Sequence, residues 1–315
     1  MQLYSIETGF FKLDGGAMFG VVPKGLWSKV HPADENNLCT WAMRCLLIQE
    51  GNKLILVDNG IGDKQDAKFF GHYYLHGDAT LDTSLAKHGF HRDDITDVLL
   101  THLHFDHCGG SIKREGDKLV PAFKNAVYWS HSRHWKWATE PNEREKASFL
   151  KENILPIQES GQLKFVDAPA IGTSGYPANK ASALTSNVTA HPTGATWSGG
   201  HLETISDVIL PGLSVRLANG HTEAMMLPQM EYKGRTHIYM ADLLPSVGHV
   251  PLPWVMAYDM FPLTTLKEKH SFWEEAATGG YVLMLEHDPE NECCTLEKTE
   301  KGIRLGQTFQ LTRTP

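Results

Sequence analysis

Thr101-His102-Leu103-His104-Phe105-Asp106-His107-Cys108-Gly109-Gly110 packs three imidazoles and a carboxylate into the six residues from 102 to 107. An apolar run, Val98-Leu99-Leu100, leads into it and reads as a buried strand, so the cluster sits on the loop leaving that strand. Extended backbone points residues i and i+2 the same way. His102 and His104 can therefore grip one ion together, while Asp106 and His107, just past a tight bend, reach a second ion beside it.

Working outward, three more metal-ligating residue types follow short apolar runs. They are His221 in Asn219-Gly220-His221-Thr222, Asp242 after Ile238-Tyr239-Met240-Ala241, and His287 after Val282-Leu283-Met284-Leu285-Glu286. All these residues thus fall at the carboxyl ends of predicted strands, on one rim of a sheet. Gathering them from four distant places requires a fold rather than a local loop. The His-x-His-x-Asp-His pattern, with the later residues in order, resembles the metallo-β-lactamase superfamily, and the match runs from Gly15 to Asp288. The resemblance implies an α/β (α+β) chain folded as a four-layer αββα sandwich. It implies one metallo-β-lactamase-like domain spanning 1–315, made of two similar halves, although no residue-level repeat is visible.

The resemblance also implies a ligand set. His102, His104 and His221 would hold one ion, Asp106, His107 and His287 the other, and Asp242 would bridge them. Neutral imidazoles and carboxylates suit borderline divalent metals, zinc foremost, with iron, manganese or cobalt as alternatives. Two cations sharing a carboxylate would deprotonate a bridging water near neutral pH, giving a hydroxide nucleophile. Asp106 is the candidate catalytic residue, placed to pass a proton to the leaving group. Flavodiiron oxidoreductases carry Glu where His104 stands, and the antibiotic-hydrolysing branches depart at the second ion or lack the bridging Asp. The pattern here is closer to the N-acyl homoserine lactonases and the methyl parathion hydrolases. Many of those lactonases have a Tyr three residues after the bridging Asp. Here that position is Pro245, and Tyr258 is a candidate substitute. Cleavage of an ester or lactone in a small, partly apolar substrate is the leading expectation. Phosphotriester hydrolysis and a non-catalytic metal-dependent sensor are the alternatives.

Lys plus Arg is 29 against 37 Asp plus Glu, a formal charge of −8. That balance argues against a polyanion-binding groove, hence against nucleic acid as partner. No apolar run reaches membrane-spanning length, and no secretory signal is visible. The five cysteines are an odd count without Cys-x-x-Cys spacing, which suggests reduced thiols in a cytoplasm. A small molecule is the expected partner, and relatives suggest a homodimer.

Along the chain, Cys45–Ile48 and Leu54–Val57 read as a hairpin about Glu50-Gly51-Asn52-Lys53. Asp58 beyond it either supports the metal ligands or caps a turn. His72, His76, His88 and His91 match no ligand position. Leu81, Leu85 and His88 share helical spacing. A helix should begin at Gly109-Gly110. Ser130 should cap a short helix whose His131, His134, Trp135 and Trp137 either pack in the core or line a pocket. Asn142 should cap a helix through Ile154. Residues 168–206, rich in small and polar types, resemble an insertion, either a lid or a surface excursion. The Pro-rich, aromatic run from Leu243 to Phe261 is the candidate substrate wall. A helix from about Thr265 should bury Leu266, His270, Trp273 and Ala277 and stop at Gly279-Gly280.

Overall fold

The computed structural model describes residues 1–167, 189–190, 196–197 and 202–313. The apolar hairpin splits its side chains between two cores. Leu46, Ile48, Ile55 and Val57 enter a cluster shared with Val215, Met226 and Ile238 of a second sheet. Their neighbours Leu47, Leu54 and Leu56 enter another, with Leu81, Leu85 and Ile154 from flanking helices. Successive strand residues face opposite sides, so a sheet covered on both faces reads as an unbroken apolar run.

The first sheet orders its six strands Gln2–Asp14, Leu38–Glu50, Lys53–Val57, Asp97–Leu99, Val127–Ser130 and Leu163–Phe165, in space as in sequence. From Lys53–Val57 onward neighbours are parallel. The second sheet orders Glu203–Ile205, Leu213–Ala218, Met225–Tyr232, Arg235–Tyr239, Val282–Met284, Cys293–Thr299 and Gly302–Phe309. Its one parallel pair is Arg235–Tyr239 with Val282–Met284. Helices Leu81–Lys87, Ser132–Thr139 and Lys151–Glu159 cover the outer face of the first sheet. Helix Pro262–Gly279 buries Phe272, Trp273 and Ala276 against the second. The layers run helix, sheet, sheet, helix, the αββα order expected. Parallel neighbours end side by side, so the loops after Val57 and Leu99, and those after Tyr239 and Met284, gather on one rim.

Several local expectations shift. No α-helix begins at Gly109-Gly110. A four-residue helix, Phe105–Cys108, precedes them, they form a tight 3-10 turn, and the strands Ile112–Glu115 and Lys118–Pro121 follow as a hairpin. The cap of the short helix is His131 rather than Ser130. Asn142 does not cap a helix through Ile154. It closes a local turn, accepting from the Arg144 and Glu145 N–H groups, and the helix starts only at Lys151. The long helix begins at Pro262, where its missing N–H costs nothing, and ends at left-handed Gly280. Its buried face is Thr265, Glu268, Lys269, Phe272, Trp273 and Ala276, so His270 is exposed rather than packed. Of the face that spacing assigned, Trp273 is buried, and two charged residues outside it, Glu268 and Lys269, are buried as well. Of the proposed insertion, Glu203–Ile205 is an edge strand on Leu213–Ala218, while 168–188, 191–195 and 198–201 lie outside the described residues. All five cysteines are buried and unpaired. Among the described residues no helix is long and apolar enough to cross a membrane.

Candidate metal centre

The rim loops bring the seven residues together. His102, His104, His221 and Asp242 form one group, and Asp106, His107 and His287 a second, each with its ligating atoms within 4.8 Å of one another and all of it buried. His102 Nε2 lies 3.0 Å from His104 Nδ1. His221 Nε2 is 3.2 Å from His104 Nδ1 and 3.0 Å from Asp242 Oδ2. In the second group His107 Nε2 and His287 Nε2 are 3.2 Å apart, with Asp106 Oδ2 at 3.8 and 3.7 Å. A tetrahedron with metal–nitrogen bonds of about 2.0–2.1 Å has edges of about 3.3 Å. Asp242 serves both groups: Oδ2 faces His221, and Oδ1 lies 3.0 Å from His287 Nε2 without hydrogen-bond geometry.

Each imidazole is aimed by a partner on its far nitrogen. His102 Nδ1 meets Thr101 Oγ1 at 3.0 Å, and that hydroxyl donates to Asp58 Oδ2 at 2.7 Å. His104 Nε2 faces Glu145 Oε1 at 3.0 Å. His107 Nδ1 lies 3.1 Å from Asp58 Oδ2 and 3.0 Å from Glu286 Oε2. His221 Nδ1 meets Asp259 Oδ1 at 3.0 Å, and His287 Nδ1 meets the Ala42 carbonyl at 2.7 Å. A neutral imidazole that donates at one nitrogen presents a lone pair at the other. Five lone pairs and two carboxylates then converge on one small volume. Such a set repels itself unless cations or protons fill it, and it suits divalent metals.

The carboxylates also shift the imidazoles beside them. Burial pulls His221 down, but Asp242 and Asp259 outweigh it and carry the ring up to about 10. Burial likewise opposes His287, which Asp242 and Glu286 raise to about 9. Burial pushes Asp242 up, yet His221, His287 and His107 hold it well below the usual carboxylate range. Glu145, despite burial, falls to about 2 through its bond with His104.

The backbone is strained where it serves the site. Asp58, Ala224 and Ala241 have φ of 55°, 53° and 41°, left-handed values that cost non-glycine residues about 1–2 kcal/mol each. Asp58 is a support as well as a turn residue: it accepts from the Thr101 N–H at 2.8 Å, from the Thr101 hydroxyl and from His107. His134, from the aromatic patch, accepts from the Leu103 N–H at 2.8 Å and donates to the Glu223 carbonyl at 2.6 Å, so it fixes the loop between His102 and His104. Burial pushes its pKa to about 4, which keeps it neutral.

Sequence reasoning missed Glu145, Asp259 and Glu286. Glu286 had a signal, its place beside His287. Glu145 and Asp259 had none, because each lies far along the chain from the imidazole it holds. Of the four histidines set aside, His72, His76, His88 and His91, none enters either group.

A cavity of about 420 Å³ opens over both groups. Its walls include Leu13, Met18, Tyr73, Phe105, Met256 and Tyr258, and its floor includes His104, Asp106, His221, Asp242 and His287. The Pro-rich run therefore supplies a wall, through Met256–Met260, while Pro245 is not among the lining residues.

A model of the metallo-beta-lactamase superfamily matches residues 44–275. Among solved structures, a probable metal-dependent hydrolase from Staphylococcus aureus is 25% identical over 98% of both chains, with a TM-score of 0.76. AidC, a dizinc quorum-quenching lactonase in complex with a product, is 20% identical over 98% of this chain and 95% of its own, with a TM-score of 0.69. The hydrolase AbOPH is 18% identical over the same shares, with a TM-score of 0.69. No curated protein matches the sequence.

Proposed function

Because this chain belongs to the metallo-beta-lactamase superfamily, we propose that it is a metal-dependent hydrolase which holds two divalent ions, zinc foremost, and cleaves an ester or lactone bond in a small, partly apolar substrate. The observation that carries the reading is Asp242, whose two oxygens face the imidazoles of both groups. His102, His104 and His221 would hold one ion, and Asp106, His107 and His287 the other. Ions bound there would polarise the substrate oxygen and lower the pKa of a water between them.

The rest belongs to the chain itself. Leu13, Met18 and Met256 give the apolar part of the substrate a dry wall and keep bulk water from the floor. Tyr73 and Tyr258 stand on the same walls, and burial, with Asp106 nearby, pushes both phenols up to about 12. Both therefore remain donors at neutral pH, able to orient a carbonyl oxygen. Tyr258, on the cavity wall, would then serve in the role that Pro245 cannot fill. Asp106 lines the cavity beside His287, so its carboxylate would be placed to take the proton that the attacking water loses and pass it to the departing oxygen.

Purified protein should lose turnover of acyl lactones or aryl esters on chelation and regain it with a divalent metal. Asp242→Asn should lower metal content and turnover together; full activity at full metal loading would remove the shared-carboxylate role. If a phosphotriester panel is cleaved and no lactone or ester is, the carbonyl reading is wrong while the site stands.

A further inference from the structure

Among the described residues the cavity walls carry one Lys or Arg, Arg144. Its neighbour Glu145 is committed inward, with Oε1 on His104 and Oε2 accepting from Trp137 Nε1 at 2.6 Å. The Asn142 turn sends the two residues in different directions: Asn142 Oδ1 accepts from the Arg144 N–H at 2.9 Å and the Glu145 N–H at 3.1 Å, leaving Glu145 buried and Arg144 exposed. Arg144 Nη2 donates across to the carbonyl of Ala257, on the facing wall. Arg44, Arg92, Arg133 and Arg216 each face a carboxylate. Among the described residues Arg144 makes no such pair.

A guanidinium offers five N–H donors in a planar fork that matches a carboxylate edge to edge. Arg144 has one donor fixed on a main-chain oxygen, so its plane is held, and among the described residues its other side-chain donors meet no acceptor. The cavity's other walls include apolar and aromatic side chains, with Asp106 and Asp242 among the imidazoles of its floor, and the molecule as a whole carries a formal charge of −8. An anion is repelled by the protein at large and welcomed at this one place on the wall.

We propose that Arg144 recognises a carboxylate on the substrate, set apart from the scissile bond, so that the substrate class is an ester or lactone bearing an anionic end. This rests on the cavity being the substrate site of the hydrolase proposed above.

The test compares mono-4-nitrophenyl esters of α,ω-dicarboxylic acids of increasing length with the same esters capped as neutral methyl esters. The metal-loaded wild type should favour the acid at one preferred length. Arg144→Gln should lower the acid-to-neutral ratio of kcat/KM by about ten-fold or more, the worth of a charged hydrogen bond, and Arg144→Lys should restore part of it. Lys146→Gln, an exposed change on the same turn, should leave the ratio as it was. Calorimetry with a non-hydrolysable monoamide of the preferred dicarboxylic acid gives a second reading: binding should weaken in Arg144→Gln and with added salt. A wild-type ratio near one, or a ratio and affinity unchanged in Arg144→Gln, overturns the proposal, the second result placing the anion on the metals. Monoamide binding that depends on Arg144, with no ester cleaved, upholds the recognition and sinks the hydrolase reading instead.

Discussion

Glu145 acts on the site through one imidazole. Its carboxylate fixes His104 Nε2, which forces Nδ1 toward His102 and His221. Glu145→Gln keeps the size and removes the charge, so the ring loses its preference for presenting Nδ1. Partners of this kind are worth about ten- to a hundred-fold in metal affinity. Competition with a chromogenic chelator should show that loss for one ion of the two, and equal affinity for both ions in the variant would refute the orienting role. Asp58 differs in kind, because it holds Thr101 and His107 at once from a strained backbone, and so connects the supports of both groups.

At the scale of elements, the close approach of two loops matters more than any helix. Gly110 donates its N–H to the Gly60 carbonyl at 2.9 Å, and Asn59 donates to the His107 carbonyl at 2.9 Å. A Cβ on Gly109 would overlap the Ile61 carbonyl, and one on Gly110 the Asn59 carbonyl. Gly110→Ala should therefore push the 58–62 turn off the ligand loop, costing roughly 1–3 kcal/mol or more. Thermal melts and metal content should fall together in this variant; a normal melt with full metal would show that the loops tolerate separation. The long helix makes a second link. Glu268 accepts from the N–H groups of Asn219 and Gly220, just before His221, while Lys269 donates to the carbonyls of His249, Pro251 and Trp254. Lys269→Met should strand those buried carbonyls at about 1–3 kcal/mol for each left unpaired. The melting temperature should drop and KM rise as the wall loosens, and an unaltered melt would mean water replaces the ammonium freely.

Across the whole molecule, neutral buried histidines set a response to acid. Burial pushes His134 to about 4 and His249 to about 3, against about 6.5 in an unfolded chain. As pH falls, the unfolded chain takes up protons first, so these residues contribute stability that is fully present above about pH 6.5 and is lost progressively toward their folded values. Urea midpoints should drop between about pH 7 and about pH 5, with a smaller drop in His249→Gln. Equal midpoints at both values would mean these rings find water when the protein is folded.

Apolar runs were enough to mark the strands that lead into the site, because strand period and burial are local consequences of residue type, while the layered sandwich was what the family resemblance implied. The candidate metal-binding residues were equally legible, since His102, His104, Asp106 and His107 are close in sequence and the other three follow apolar runs. Packing decided the rest. The buried face of helix Pro262–Gly279 is shifted because Glu268 and Lys269 are drawn inward by main-chain groups on other loops, which no spacing rule contains. Glu145, Asp259 and the Arg144 wall exist only where distant turns meet. A hydrogen bond depends on where its two atoms end up in space, and separation along the chain does not encode that.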